Sequence, residues 1–240
     1  MIAKDQSYIV TIKTVKFPNK YTNIIQKIVR KHGYDLDQAK RLAVNVLKLS
    51  DLYNSRKTQG NIWADSGALV AYLVYFFPLN YLRVQRALRL SSQIGYWREL
   101  RHWYEFGSGC GTAFLAYLDL ALSPVDHAHF IETSPEANAL MKNLLLAAHD
   151  IDLKNIQWSL HPPSQWVDNN NKYFIASYSL NEISELPKWV QQCENIFIVE
   201  PSLQKTTRHL MTLRQQLINH NYYVWAPCTH QESCPLLTHS

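Results

Sequence analysis

The spacing of hydrophobic residues changes near residue 100, and this change divides the chain into two parts. In residues 1–100, after a short extended start at residues 8–12, apolar side chains recur at the three- and four-residue spacing of amphipathic helices. One such stripe comprises Ile24, Ile25, Ile28 and Val29, and the next comprises Ala39, Leu42, Ala43, Val46 and Leu47. The first part is therefore predicted to be a helical domain.

Residues that cap or break helices indicate where the helices of this first part begin and end. Gly33 is predicted to end the first helix, and Asp35 or Asp37 to cap the second. Asp65 is predicted to cap a largely buried helix over residues 66–77, which Pro78 would end or kink. A basic amphipathic helix follows the proline.

From residue 101 onward, short hydrophobic runs typical of strands alternate with helical stretches. This alternation predicts a mostly parallel sheet with helices on both faces. We therefore predict an α/β fold, with a basic helical domain over residues 1–100 and a Rossmann-like domain over residues 101–240. The predicted strands lie at residues 102–106, 128–132, 155–160, 173–178, 195–200 and 222–226, and the predicted helices lie near residues 112–122, 134–149, 181–192 and 205–219.

Charge is distributed unevenly between the two parts. Residues 1–101 contain 17 Lys and Arg against 6 Asp and Glu, whereas the remainder contains 7 basic and 13 acidic residues. A basic part joined to an acidic part favours contact between the basic part and a polyanion. Arg83, Arg86 and Arg89 recur every third residue, so they project from one side of their helix and are candidate RNA-binding residues. A solvated helix face would explain them equally well.

The remaining composition favours a soluble cytoplasmic protein. Hydrophobic residues make up 47% of the chain and charged residues 18%, which is enough to form a sizeable core. The apolar run at residues 67–79 is too short and too aromatic for a membrane span, and the N-terminus lacks a signal-peptide layout. Four cysteines in a chain of this length do not indicate a secreted disulfide framework.

The segment Glu105-Phe106-Gly107-Ser108-Gly109-Cys110-Gly111-Thr112 joins a predicted strand to a predicted helix. Its three alternate glycines permit a tight turn and a close approach of a ligand to the main chain. Three of the seven glycines of the protein therefore lie where a Rossmann-type loop requires them. Ser108 and Thr112 would line the same loop.

Glu132 closes the next predicted strand, where a carboxylate can accept hydrogen bonds from the hydroxyls of a ribose. A dinucleotide such as NAD would use the same acid. The dinucleotide fingerprint, however, is G-x-G-x-x-G, with the pyrophosphate at the helix N-terminus. Here the loop is G-x-G-x-G, and Glu105 would repel a pyrophosphate but could bind the ammonium of methionine. The loop favours S-adenosylmethionine over NAD, and Thr133 beside Glu132 joins the predicted site.

Polar residues also follow the fourth predicted strand, in the run Ser177-Tyr178-Ser179-Leu180-Asn181-Glu182. Of these, Ser177, Tyr178 and Asn181 are predicted to contact the cofactor. Amino-group methylation of bases commonly uses an N/D-P-P-Y segment at this place, and the prolines are missing here. Asn181 and Glu182 could orient a target or the methionine moiety, whereas Asn181 could equally cap the following helix. Trp166 and Asp168 lie in the loop after the third strand, where adenine is often held.

Four stretches together resemble the methyltransferase-like proteins of the small ribosomal subunit, a family best known for mitochondrial ribosome assembly factors and also present in bacteria. The combination of the last two is the specific part of this resemblance. The stretches are the helical segment from Ala71-Tyr72 through Pro78, Tyr81 and Arg83; EFGSGCGTA, where the family usually has Pro at Cys110; SYSLNE at residues 177–182; and Val199-Glu200-Pro201 followed by APCTHQESCPL at residues 226–236.

The resemblance implies a class I methyltransferase sheet, S-adenosylmethionine at the glycine loop and association with the ribosomal RNA of the small subunit. It also implies an iron–sulfur cluster held by C-terminal cysteines. Cys228 and Cys234 match two of its ligands, and His230 matches a histidine of the family. Two ligands are not four, and the further cysteines and the last antiparallel strand of the family pattern would lie beyond Ser240.

Two functional hypotheses follow from these observations. The first is an S-adenosylmethionine-dependent methyltransferase, or methyltransferase-like protein, that acts on or binds small-subunit ribosomal RNA. No catalytic residue can be assigned, because Cys228 lies at the wrong place for a cytosine carbon-5 nucleophile. The second is a non-catalytic assembly factor that binds the RNA through its basic N-terminal helices. An NAD-dependent oxidoreductase is a distant third.

Overall fold

The computed structural model describes residues 16–55, 61–166, 171–228 and 230–237. It is an α/β structure in which helices precede and cover a parallel sheet, as the sequence predicts. The extended start predicted at residues 8–12 lies outside the described residues. The α-helices are α1 (Asn19–Lys31), α2 (Ala39–Asn54), α3 (Ser66–Ala71), α4 (Phe77–Gln93), α5 (Thr112–Leu118), α6 (Pro135–Ala148) and α7 (Gln204–Asn219).

Five strands form one sheet in which all neighbouring strands run parallel, in the order β3-β2-β1-β4-β5. The central position of β1 brings the loop that follows it to the middle of the carboxyl edge, where Rossmann-like folds bind their ligands. This arrangement confirms the predicted Rossmann-like class. The strands are β1 (His102–Phe106), β2 (His127–Ile131), β3 (Ile156–Ser159), β4 (Lys172–Ser177) and β5 (Asn195–Val199).

Helices α3 and α4 form one continuous helical stretch, although Pro78 was predicted to end or kink the helix. A π-helical turn at Tyr72–Phe76 joins them, and Pro78 lies in the first turn of α4, where its missing N–H costs little. The stretch Ser66–Gln93 is long and apolar enough to cross a membrane by length and composition, and 44% of its most apolar window is buried inside the protein. Core helices of soluble proteins pass the same test.

Three local predictions are wrong for identifiable reasons. Neither Asp35 nor Asp37 caps α2, because the Asp35 carboxylate accepts hydrogen bonds from Arg30 Nε and Leu36 N instead. Residues 181–192 form only two short 3₁₀ turns, since Pro187 interrupts the segment. Residues 222–226 are not a strand, because the main chain of Val224 hydrogen-bonds to the Gln231 side chain rather than to β5. By contrast, Asp65 caps α3 as predicted.

The hydrophobic core has one cluster on each face of the sheet. The larger cluster contains residues of α1 and α4 together with residues of α5, α6 and the strands, so it runs continuously from Tyr21 to Phe197. The smaller cluster packs β1 and β4 against α7 and the 3₁₀ turns. The helical residues before β1 therefore share a core with the sheet, while the proposed domain boundary at residue 100 stays a prediction.

Candidate cofactor site

The loop between β1 and α5 turns through three residues in the left-handed region, Gly107, Gly109 and Gly111, with φ angles of +61°, +52° and +78°. The space beside each glycine is already filled. A β-carbon added to Gly107 would lie 2.5 Å from Cβ of Ser179, and one added to Gly111 would lie 2.7 Å from side-chain atoms of Met141. One added to Gly109 would lie 3.1 Å from the indole of Trp63. Backbone conformation and packing therefore both require glycine here.

Glu132 follows β2 and lies directly against this loop. One carboxylate oxygen accepts a hydrogen bond from Gly109 N at 2.9 Å, and the other accepts from Ser134 N at 2.8 Å and from the Thr133 hydroxyl at 3.4 Å. The sequence predicted that this acid and the loop meet at the carboxyl edge of the sheet, and they do. Thr133 is exposed beside them.

Glu105 lies within the core rather than on the surface of the loop. Its side chain is 1% exposed and accepts a hydrogen bond from the Trp103 indole at 2.9 Å. Burial raises the pKa of Glu105 to about 8, the Trp103 hydrogen bond opposes this shift, and the Glu132 charge adds to it. At neutral pH Glu105 is therefore largely a neutral acid, so an ionic contact with an ammonium group would require it to lose a proton.

The turn after β4 is clamped between the glycine loop and Glu200. The Ser179 hydroxyl donates to the carbonyl of Phe106 at 2.8 Å. Glu200 Oε1 accepts hydrogen bonds from the backbone N–H groups of Ser179 and Leu180, at 3.0 and 2.8 Å. Tyr178 takes the left-handed conformation, with φ of 60°. A rigid turn of this kind holds its side chains at a fixed place beside the loop.

Asn181 is exposed on this turn, and no α-helix follows it, so the alternative that Asn181 caps a helix is wrong. The backbone of Glu182 belongs to the same 3₁₀ turn. Trp166 packs against Tyr104 and Trp189 on the second face of the sheet. Its indole is therefore engaged in the smaller core cluster, whereas Asp168 lies outside the described residues.

Two buried hydroxyls at the carboxyl edge have no hydrogen-bond partner within the described part of the chain. They are Ser108 Oγ in the glycine loop and Ser177 Oγ at the end of β4. Buried polar atoms in proteins are nearly always paired, and unpaired ones commonly mark the place of a ligand or water. The two free hydroxyls, the glycine turn and the Glu132 carboxylate fit a polar nucleoside ligand such as S-adenosylmethionine. Thr112, the first residue of α5, lies 3.4 Å from the Tyr72 hydroxyl.

The exposed basic side of α4, which we call the arginine face, borders this site. It consists of Arg83, Arg86 and Arg89, which are all exposed, as the sequence predicted from their spacing. Arg83 lies close to the Tyr178 side chain: burial raises the pKa of Tyr178, and the guanidinium of Arg83 opposes that shift. The arginine face and the turn after β4 are therefore neighbours, which the sequence did not reveal.

The predicted iron–sulfur ligands Cys228 and Cys234 are partly buried free thiols. The loop between them is held by protein groups: the Arg214 guanidinium donates to the carbonyls of His230 and Glu232 at 2.8 and 2.9 Å. Within the described ranges, no group of three or more His, Cys, Asp or Glu side chains is placed to hold a metal ion. Two thiols alone do not fit a four-ligand cluster.

Cys110 and Cys193 are buried in the core. Burial raises the pKa of the Cys110 thiol to about 12. A thiol with so high a pKa is protonated at neutral pH, so Cys110 is a packing residue rather than a nucleophile, although it lies in the glycine loop.

Sequence reasoning did not identify Asn61 and Trp63. Trp63 lies against Gly109, and the Asn61 amide contacts Ser134 and Glu136 at the start of α6. These contacts join residues that are 46 to 75 positions apart in the chain, so local sequence patterns do not predict them.

Comparison with known proteins indicates a family for this chain. The model of the family described as mitochondrial small ribosomal subunit Rsm22 matches residues 66–240, which include the helical stretch before the sheet, the glycine loop and the C-terminal cysteines. A search of curated proteins gives no match.

Proposed function

This chain belongs to the family described as mitochondrial small ribosomal subunit Rsm22, and on that premise we propose that it is a methyltransferase-like protein that binds S-adenosylmethionine and small-subunit ribosomal RNA. The observation that carries the cofactor assignment is the contact between Glu132 and Gly109. This contact holds a carboxylate against the glycine loop at the middle of the carboxyl edge, where parallel α/β sheets bind nucleosides.

Glu132 retains the capacity to hold a ribose. An ionised carboxylate offers about four acceptor positions; two of those on Glu132 are used by the backbone N–H groups of Gly109 and Ser134, and a third by the Thr133 hydroxyl. The remaining position can accept from a ribose hydroxyl, while the two backbone donors fix the orientation of the carboxylate. The unpaired hydroxyls of Ser108 and Ser177 would supply further polar contacts.

When bound, the cofactor supplies an activated methyl group on a sulfonium. Transfer of that methyl requires chiefly that a nucleophile is held in line with it. The turn at Tyr178 and Ser179 lies against the cofactor loop and is rigid, so it is suited to position a target group. The Ser179 hydroxyl is already engaged with Phe106, and we assign no general base.

The ribosomal part of the proposal rests on the family and on charge. The 17 basic residues of the first 101 positions outnumber 6 acidic ones, and the arginine face of α4 is exposed beside Tyr178. RNA bound along Arg83, Arg86 and Arg89 would therefore reach the edge of the sheet at which the cofactor is proposed to bind.

Titration calorimetry with S-adenosylmethionine tests the cofactor assignment. We expect the wild-type protein to bind and Glu132→Gln to bind about 10-fold more weakly or worse, because a charged hydrogen bond contributes roughly 1.5–3 kcal/mol. Glu99→Gln is the matched control, since Glu99 is an exposed glutamate before β1, at the opposite edge of the sheet. A folded wild-type protein that binds no S-adenosylmethionine, or that binds NAD instead, would contradict the assignment.

A non-catalytic assembly factor is the second candidate. The engagement of the Ser179 hydroxyl with Phe106 favours it, because this removes a polar group from the turn at which methyltransferases commonly orient their target. Methyl transfer from tritium-labelled S-adenosylmethionine to purified small-subunit RNA separates the two candidates. Labelled RNA supports an enzyme, whereas RNA binding without label supports the assembly factor.

A further inference from the structure

Residues 222–225 follow α7 as a short extended segment, outside the sheet, that presents two exposed aromatic rings. Tyr223 is 78% exposed and Trp225 is 56% exposed, whereas the side chains of the neighbouring Tyr222 and Val224 are partly buried. This alternation is typical of an extended chain, in which successive side chains point to opposite sides. Tyr223 and Trp225 therefore project from the same side of the segment, and we call them the aromatic pair.

Hydrogen bonds hold the segment in this conformation. The Gln231 side-chain amide accepts from Val224 N at 2.9 Å and donates to Val224 O at 3.3 Å. In an extended residue the N–H and the C=O point to the same side, as this double contact requires. The Tyr222 hydroxyl also donates to the carbonyl of Cys193 at 2.7 Å. The backbone that carries the aromatic pair is thus already ordered, which lowers the entropic cost of binding a ligand there.

The spacing of the aromatic pair matches a nucleobase. Side chains two positions apart in an extended chain begin about 6.4–6.8 Å from each other. Stacked bases lie about 3.4 Å apart, so one unpaired base fits between two rings spaced in this way. Bases in a duplex are covered on both faces by their neighbours, whereas the unstacked bases of single-stranded RNA commonly stack on aromatic side chains. The spacing therefore favours single-stranded RNA.

The aromatic pair adjoins a strongly basic stretch of the chain. The Trp225 ring makes a T-shaped contact with Tyr96, with centroids 5.5 Å apart. Residues 83–101, which include Tyr96, contain five arginines, all exposed, and one glutamate. One of the five is Arg98, whose Nε lies 3.0 Å from the position that a β-carbon on Gly95 would take. Exposed aromatic rings beside concentrated positive charge suit a ligand that carries both phosphates and bases.

We propose that Tyr223 and Trp225 bind RNA by stacking on an unpaired base, while neighbouring arginines contact its phosphates. This inference rests on the proposed function and adds to it a second contact surface and a single-stranded ligand. Phosphate contacts release counterions and therefore make binding depend on salt, whereas stacking on a base does not. The two contributions are separable in one binding experiment.

The test is fluorescence anisotropy of the full chain with a labelled oligoadenosine RNA, and with the same strand annealed to its complement, at several salt concentrations. We expect Trp225→Ala to weaken binding of the single strand about fivefold or more at every salt concentration, and binding of the duplex less than about twofold. The slope of log K against log salt concentration should not change. Trp225→Phe, which keeps an aromatic ring, should recover most of the loss.

Two results would overturn the proposal. The first is an equal loss for the single strand and the duplex, or a changed salt slope, because either would show that the variant alters phosphate contacts. The second is a variant that binds RNA normally but no longer binds intact small ribosomal subunits, because the aromatic pair would then contact a protein.

Controls separate this inference from the proposed function. Tyr75→Ala removes a half-exposed tyrosine that packs against Phe76 in the π-helical turn, and it should leave both affinities unchanged. Thermal unfolding verifies that each variant is folded, and Tyr223→Ala, at the more exposed position, serves if Trp225→Ala fails to fold.

Purified small-subunit RNA is titrated as a third ligand. A folded wild type that binds none of the three RNAs contradicts the proposed function itself. A wild type that binds small-subunit RNA but not the single strand, or that is matched in affinity by both alanine variants, contradicts this inference alone.

Discussion

The β-carbon of Ser179 lies 2.5 Å from the point at which a side chain on Gly107 would begin. The first glycine of the glycine loop and the turn after β4 are thus packed without room for a methyl group. The Ser179 hydroxyl also donates to the carbonyl of Phe106, the residue before that glycine. The ends of the two central strands therefore form a single rigid unit.

Gly107→Ala should destabilise the protein by roughly 2–4 kcal/mol, because it combines a positive φ with a steric clash. Gly33→Ala is the matched control: Gly33 has a φ of +77°, and nothing lies within 4 Å of its added β-carbon. It should cost only the backbone strain of about 1 kcal/mol. Urea unfolding measures both values, and equal losses would show that the contact with Ser179 relaxes freely.

Glu105→Gln should change how stability depends on pH. The folded pKa of Glu105 is raised from 4.5 to about 8, so its stabilising contribution is complete below the unfolded pKa and is lost as the pH rises through the folded one. The glutamine keeps an acceptor for Trp103 and cannot ionise. The variant should therefore gain stability relative to the wild type between about pH 5 and pH 8, by roughly 1 kcal/mol or more.

Urea unfolding at several pH values measures this difference, because the other titrating groups are the same in both proteins. The difference should be smallest near pH 5 and reach a plateau above about pH 8. A stability difference that does not vary with pH would show that Glu105 ionises without penalty in the folded protein.

Asp119→Asn should weaken the junction between the N-terminal helices and the sheet. The Asp119 carboxylate, at the end of α5, contacts the Lys20 ammonium of α1 and accepts from the Tyr81 hydroxyl of α4. The side chain of Asp119 is 11% exposed and that of Lys20 is 37% exposed, so we expect a loss of about 1–3 kcal/mol. Asp126→Asn, at a half-exposed site 3.9 Å from Arg101, should cost less than about 0.5 kcal/mol.

Because one hydrophobic cluster joins these helices to the sheet, the whole unfolding transition should move in Asp119→Asn. Circular dichroism and tryptophan fluorescence should give the same midpoint. Two separate transitions, of which only one moves, would instead show that the residues before the sheet unfold on their own.

Arg86→Ala and Arg89→Ala together should reduce the salt dependence of binding to small-subunit RNA. Each phosphate contact contributes about 0.7–0.9 to the slope of log K against log salt concentration, so losing two contacts should make the slope shallower by roughly 1.4–1.8. Arg83 is left in place because its charge also acts on Tyr178, beside the glycine loop. Lys154→Ala removes an exposed lysine paired with Asp152 and should leave the slope unchanged. Filter binding at several salt concentrations measures the slopes. An unaltered slope in the double variant would show that Arg86 and Arg89 face solvent and do not contact the RNA.

Local sequence patterns predicted the sheet well. The limits of β1 were predicted to the residue, and those of β2 to β5 to within one residue, because buried parallel strands read as short hydrophobic runs bounded by polar residues. The meeting of Glu132 with the glycine loop was also predictable, since the carboxyl ends of neighbouring parallel strands lie at one edge.

Features that depend on contacts between distant residues were not predictable. The helix expected at residues 181–192 is replaced by turns. Just before this segment, the backbone N–H groups of Ser179 and Leu180 donate to the side chain of Glu200, 20 or more residues further along the chain. The burial of Glu105 was not predictable because it depends on the tertiary packing around its carboxylate, which accepts a hydrogen bond from the Trp103 indole. The position of Trp63 depends on its contact with Gly109, 46 residues further along the chain, which no periodicity encodes.

Helix α4 carries the arginine face on one side and supports α5, the helix that follows the glycine loop, on the other, with Tyr81 bonded to Asp119. On the proposed function, a movement of α4 on RNA binding would therefore also move α5 and the glycine loop. Thermodynamic linkage would make such an effect mutual: the proposed nucleoside ligand would change the affinity for RNA by the same factor as RNA changes the affinity for that ligand. A single helix would thereby couple the two proposed binding sites.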